Sequence, residues 1–132
     1  MRLGTLAALL GALGVVAGAF GAHALRGHFD PAALAVFETA ARYHLLHALA
    51  AVFAADRGER GAPSARLAAA LLLVGVALFS GSLYALALTG VRAWGAVTPL
   101  GGVALIGGWL ALAISFRASR TRGAGPQAGT DR

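Results

Sequence analysis

Six small residues near the start of the chain, Gly4, Ala7, Gly11, Gly14, Gly18 and Gly21, alternate at spacings of three and four. On an α-helix that pattern lines one face from end to end. Leu, Val, Ala and Phe surround them, and no charge falls between Arg2 and Arg26. In water each glycine would weaken a helix by about 1 kcal/mol relative to alanine. In a bilayer the backbone must satisfy its own hydrogen bonds, and small residues let a second helix come close. The stripe predicts a membrane helix built to pack against protein. It names no reaction and no cargo.

Composition points the same way: charged residues are 12% of the chain, against about 25% in soluble domains. Four apolar runs can cross a hydrocarbon core of about 30 Å at 1.5 Å per residue. They cover about 3–25, 32–55, 67–88 and 96–116. The expected fold is an all-α polytopic membrane protein, a compact bundle of four transmembrane helices over residues 1–116. The second run is the least pure, broken by Glu38, Arg42, His44 and His47, so three spans are the fallback to four. The fourth carries its own stripe, Gly101, Ala104, Gly108, Ala111 and Ser115, and two striped helices at the ends would fit a bundle closed by its first and last members. Ala22-His23-Ala24 imitates a signal-cleavage site, but the apolar stretch before it exceeds the usual run of about 7–15 residues. A retained helix is the expectation.

All eleven basic residues are arginine. They fall between apolar runs and in the tail rather than in a nucleic-acid patch, so no nucleic-acid partner is expected. With four spans, Arg2, Arg57, Arg60, Arg66, Arg117, Arg120, Arg122 and Arg132 share one side, and Arg26, Arg42 and Arg92 the other. That bias predicts both termini in the cytoplasm of a bacterial plasma membrane. Asp30-Pro31 reads as a helix start, and residues 56–64 as a loop, with Ser64 capping the third helix. Thr89-Gly90 reads as the end of that helix, and Trp94 lies in an interfacial turn. Residues 117–132 read as a disordered cytoplasmic tail. With no cysteine, the chain has no disulfide, thiol redox chemistry or thiolate metal site.

His47 falls about 12 Å from the inner boundary, near mid-bilayer, where an ionisable residue marks a functional site by default. The plainer role is one interhelical hydrogen bond, with Ser80 the expected side-chain partner. Glu38 and Arg42, one turn apart, stand in the favourable order for an intrahelical ion pair. Together with His23, Tyr43, His44, Ser80, Ser82, Tyr84 and Thr98, these residues make a polar excess in the outer half of the bundle. It forms either interhelical hydrogen bonds or a hydrated pocket. His44 and His47 are three apart but lack a third ligand, and a set of His23, His44 and Glu38 would need cooperating helices. No metal, cofactor or catalytic residue is expected.

Four stretches carry a resemblance: Gly18-Ala-Phe-Gly-Ala-His-Ala-Leu25, Tyr43-His-Leu-Leu-His-Ala-Leu49, Leu78-Phe-Ser-Gly-Ser-Leu-Tyr-Ala-Leu-Ala-Leu-Thr-Gly90, and Pro99-Leu-Gly-Gly102 with Gly107-Gly-Trp109. In order and spacing the chain resembles the YgdD-like family of small membrane proteins, a domain of unknown function with bacterial and animal relatives. The resemblance implies four transmembrane helices and a bacterial plasma membrane, and it brings no activity. The family usually has Gln at the position of His44.

Three function classes remain. A structural or accessory protein, packing with itself or a larger complex in the lipid bilayer, suits the stripes. An oligomeric small-solute or ion transporter would use the outer polar residues, although proton-coupled exporters of this size rely on a carboxylate in helix one, and none lies between Met1 and Asp30. An intramembrane enzyme would need a nucleophile or a metal that the residue set does not supply.

Overall fold

The computed structural model describes residues 2–122, and among them every regular element is helical. Helix α1 spans Leu3–Phe20 and runs without a break into a π-helical turn, Gly21–Leu25. Helix α2 spans Pro31–Glu59, α3 spans Pro63–Thr89, and α4 spans Thr98–Arg122 after a short 3₁₀ segment, Arg92–Ala96. Of these, α1 with its π turn, α3, and α4 with the segment before it are long and apolar enough to cross a membrane. Helix α2 is long enough, but its charges and histidines leave it less apolar.

The helix ends follow from local chemistry. The Asp30 carboxylate accepts hydrogen bonds from the Ala32 and Ala33 amides at 2.9 and 3.0 Å, with Pro31 at the first helical position. Two unmade amide bonds are thereby satisfied. Helix α3 stops at Gly90, whose φ of 69° only glycine adopts freely. The α2–α3 connection is shorter than the loop expected over 56–64. Arg60 donates to both Asp56 oxygens at 2.8 and 3.0 Å, and α2 continues to Glu59, leaving only residues 60–62 to turn. Arg60 holds the exposed Asp56 carboxyl below its ordinary range by that hydrogen bond. Ser64 is not a cap, because α3 already begins at Pro63 and Ala62 occupies the cap position. Helix α4 runs past the expected boundary at 116, so Arg117–Arg122 continue the helix. The rest of the expected tail lies outside the described residues.

The core is made chiefly of alanine. Ala40, Ala48, Ala51 and Ala54 of α2 and Ala65, Ala68 and Ala69 of α3 are fully buried, and Leu72 is among the largest side chains wholly enclosed. Side chains this small let the two backbones approach, which maximises dispersion contact where lipid supplies no hydrophobic drive. The bundle is not closed by its first and last members, as the two stripes suggested. Helix α1 packs on α2, and α4 packs on α3. The α1 stripe lies along Ala55, Ala48 and Leu45 of α2, and the α4 stripe lies on α3 against Leu72 and Phe79.

The two stripes are not equally tight. A Cβ on Gly101 would lie 2.7 Å from the Phe79 Cα, and one on Gly108 2.8 Å from Leu72 Cγ. On α1 the corresponding distances are 3.0 Å from Gly14 to Leu45 and from Gly21 to the Phe37 ring, but 3.7 Å at Gly4 and 4.0 Å at Gly11. Gly18, expected to touch a neighbouring helix, has nothing within 4 Å. We therefore expect Gly101→Leu to cost about 3 kcal/mol or more through overpacking against backbone, read as a lower melting temperature in detergent. Gly18→Ala should leave that temperature unchanged.

Candidate functional site

The polar residues of the helical bundle divide into separate small sets. In the first, His44 and Tyr84 join α2 to α3. The Tyr84 hydroxyl and His44 Nδ1 share a hydrogen bond of 3.2 Å, and Phe37 packs on the Tyr84 ring with centroids 4.9 Å apart. His44 is buried. The Leu10 carbonyl of α1 approaches its ring, yet Nε2 makes no hydrogen bond.

His47 occupies the second set. Its ring is 5% exposed, stacks on Tyr43 at 5.5 Å and meets Trp109 of α4 edge-on at 6.2 Å. Nδ1 donates to the Tyr43 carbonyl one turn back at 2.8 Å. The ring therefore points into the bundle, as its depth predicted, but its partner is its own helix rather than Ser80. Ser80 is buried with its hydroxyl unpartnered. The i−4 carbonyl was within reach of His47 before any neighbour had docked, and that local bond won. Tyr43, half out of the bundle, stacks on Phe79 at 4.7 Å.

The third set fastens α4 at both ends. Ser82 donates to the Phe79 carbonyl at 3.0 Å and shares a 2.8 Å hydrogen bond with Thr98, the first residue of α4. At the opposite end Arg57 Nε donates to Ser115 Oγ and Nη2 to the Ser115 carbonyl, each at 3.2 Å. The same guanidinium lies 4.1 Å from the centre of the Phe116 ring. The sequence reading treated Arg57 as a topology charge and Ser115 as one more small residue. What it missed is that Ser115 is a polar group placed where a long basic side chain from α2 could reach.

The remaining expected residues stand apart. Glu38 and Arg42 make no ion pair. The salt bridge found among the described residues is that of Asp56 and Arg60. Glu38 and Arg42 instead line a cleft between α1 and α2. His23 lies exposed on the π turn, away from His44. No group of three metal-ligating side chains converges among the described residues.

Helices long and apolar enough to cross a bilayer, packed through alanine and glycine, define a small helical integral membrane protein. Residues 17–102 match the family model described as "Protein of unknown function (DUF423)", and the chain belongs to that family. It is 44% identical over 116 residues to the UPF0382 membrane protein YwdK of Bacillus subtilis, covering 86% of this chain and 91% of that protein. It is 43% identical over 110 residues to the UPF0382 membrane protein SH2409 of Staphylococcus haemolyticus, covering 83% and 90%. The UPF0382 inner membrane protein YgdD of Escherichia coli is 37% identical over 109 residues, covering 82% and 83%. No solved structure matches.

The polar sets predict distinct mutational costs. Tyr84→Phe removes the partner of His44 Nδ1 and should lower stability by about 0.6–1 kcal/mol. Arg57→Lys cannot make the forked contact to Ser115 and should cost about 1–3 kcal/mol. Thermal melts in detergent with circular dichroism check both. A Lys variant as stable as the parent would show that charge alone is what α4 needs.

Proposed function

We propose that the chain crosses the bacterial plasma membrane four times with both termini in the cytoplasm, and acts by helix packing as a structural or accessory protein. The observation that carries the four-span reading is the way α2 follows α1 along its length. Gly21 meets Phe37 near the end with the π turn, Gly14 meets Leu45, and Gly4 meets Ala55 at the other end. A helix so matched to an apolar partner shares its depth. Its two histidines are accounted for in place, since His44 and His47 are buried against Tyr84, Tyr43 and Trp109.

The accessory reading is supported by how the polar groups are used. They latch helices in pairs, and the spaces between helices are surface grooves such as the apolar one between α2 and α4 along Leu49, Phe53, Trp109 and Phe116. A solute path would need polar groups gathered along one cavity, and catalysis would need a nucleophile and base in reach of each other. The outward faces carry Leu9, Leu13 and Val16 on α1 and Val103, Ile106 and Leu110 on α4. They suit lipid, a second copy or a larger membrane complex.

Because the chain has no cysteine, single substitutions report topology cleanly. Gly27→Cys should label from outside intact cells and Gly129→Cys only after lysis; the reverse pattern would overturn the orientation. Cross-linking in native membranes should capture the chain with itself or a membrane partner. Solute or ion flux through purified protein in liposomes would favour the transporter instead.

A further inference from the structure

The side of α2 that faces α1 holds two charges the bundle does not use. Glu38 and Arg42 stand one turn apart, yet neither pairs with the other or with any side chain among the described residues. In the membrane-spanning part of a helix an unpartnered guanidinium is costly, so it calls for a ligand that carries an anion. The surroundings give that ligand a shape. Arg42 and Leu45 line both a cleft of about 220 Å³, walled by Gly18, Phe37 and Glu38, and an apolar groove of about 620 Å³ that runs from there along Gly11, Leu46 and Leu49 to Val52. A Cβ built on Gly18 would meet no atom of another helix within 4 Å, and Gly18 lines this cleft.

Read outward along α2, the order is apolar groove, then cation, then carboxylate. An amine-headed phospholipid in the leaflet at the Pro31 end has the same order: acyl chain, then phosphate, then ammonium. We propose that the α1–α2 cleft and groove bind one phospholipid of the phosphatidylethanolamine type. Arg42 donates to the phosphate, whose oxygens match its planar fork, and the Glu38 carboxylate receives the ammonium. One acyl chain fills the groove between Gly11 and Leu49. The missing side chain at Gly18 leaves room for the glycerol and phosphate. Phosphatidylglycerol would satisfy Arg42 but offer Glu38 only neutral hydroxyls in place of an ammonium, so the pair selects for the amine. The proposal rests on α2 crossing the bilayer.

The test is native mass spectrometry of the purified full-length chain, extracted from mixed phosphatidylethanolamine and phosphatidylglycerol vesicles. We expect one phosphatidylethanolamine retained with about tenfold preference, and Arg42→Gln to lower retention of either lipid about tenfold. Glu38→Gln should bring the preference close to one, with binding retained. Gly18→Leu should reduce retention without changing the melting temperature, which keeps the test open if Arg42→Gln fails to fold. Equal retention of the two lipids by the parent, or unchanged retention in Gly18→Leu, overturns the proposal. So does a cross-linked dimer formed through Ala8→Cys, which would put a second copy in the groove. If Ala62→Cys, in the α2–α3 connection, labels from the same side as Gly27→Cys, α2 does not cross the bilayer and the four-span reading fails. If topology is as proposed and lipid retention is unselective, only the lipid site fails.

Discussion

Close approach of backbones is the constraint on which the rest of this structure depends. A bilayer offers helices no hydrophobic reason to associate, because lipid tails are as apolar as leucine. Association has to come from density of contact, and density requires small side chains in register on both partners. Ala51 and Ala54 of α2 and Ala65, Ala68 and Ala69 of α3, all fully buried, supply it in the middle of the bundle, and Ala48 faces Gly11 of α1. The α3–α4 seam goes further: Gly75 lets Leu105 in, and Gly101 and Gly108 lie against Phe79 and Leu72. Larger residues at these positions would separate the helices and forfeit the contacts that hold them.

On that close-packed frame the polar side chains fix register rather than supply the bulk of the stability. An interhelical hydrogen bond in a membrane is worth only about 0.6 kcal/mol on average, far less than a seam of packed alanines. Its value lies in geometry. Ser82 with Thr98 sets the start of α4, Arg57 with Ser115 sets its far end, and His44 with Tyr84 sets the height of α2 against α3. A one-residue slip along any seam would break one of these bonds while leaving much of the apolar packing intact.

The small-residue stripes, the Asp30-Pro31 start, the glycine stop at Gly90 and the inward aim of His47 were all legible in the sequence, because each rests on spacing or on a residue type with one strong local preference. Which face meets which was not legible. The stripe on α1 could have packed on α2, α3 or α4, and only the complementary alanine face selected α2. The expected Glu38–Arg42 pair failed for a related reason: correct spacing permits an ion pair, but both residues line a cleft that exists only after α1 has docked. The Arg57–Ser115 clamp joins residues 58 positions apart, a separation that no local pattern reveals.

The fastening is uneven. Helix α4 is tied by side-chain hydrogen bonds near both ends, and α2 and α3 are tied to each other. Among the described residues no side-chain hydrogen bond joins α1 to another helix; it rests on α2 through van der Waals contact, with the Leu10 carbonyl near the His44 ring, and that contact loosens from Gly14 to Gly18. Dispersion between a smooth glycine face and an alanine face changes little as one helix turns slightly against the other, whereas a hydrogen bond breaks within an ångström. The softest internal coordinate of the protein is therefore the roll of α1 about its own axis. The π turn at Gly21–Leu25 continues α1 directly, so any such roll is carried straight to His23 and the connection that leads into α2.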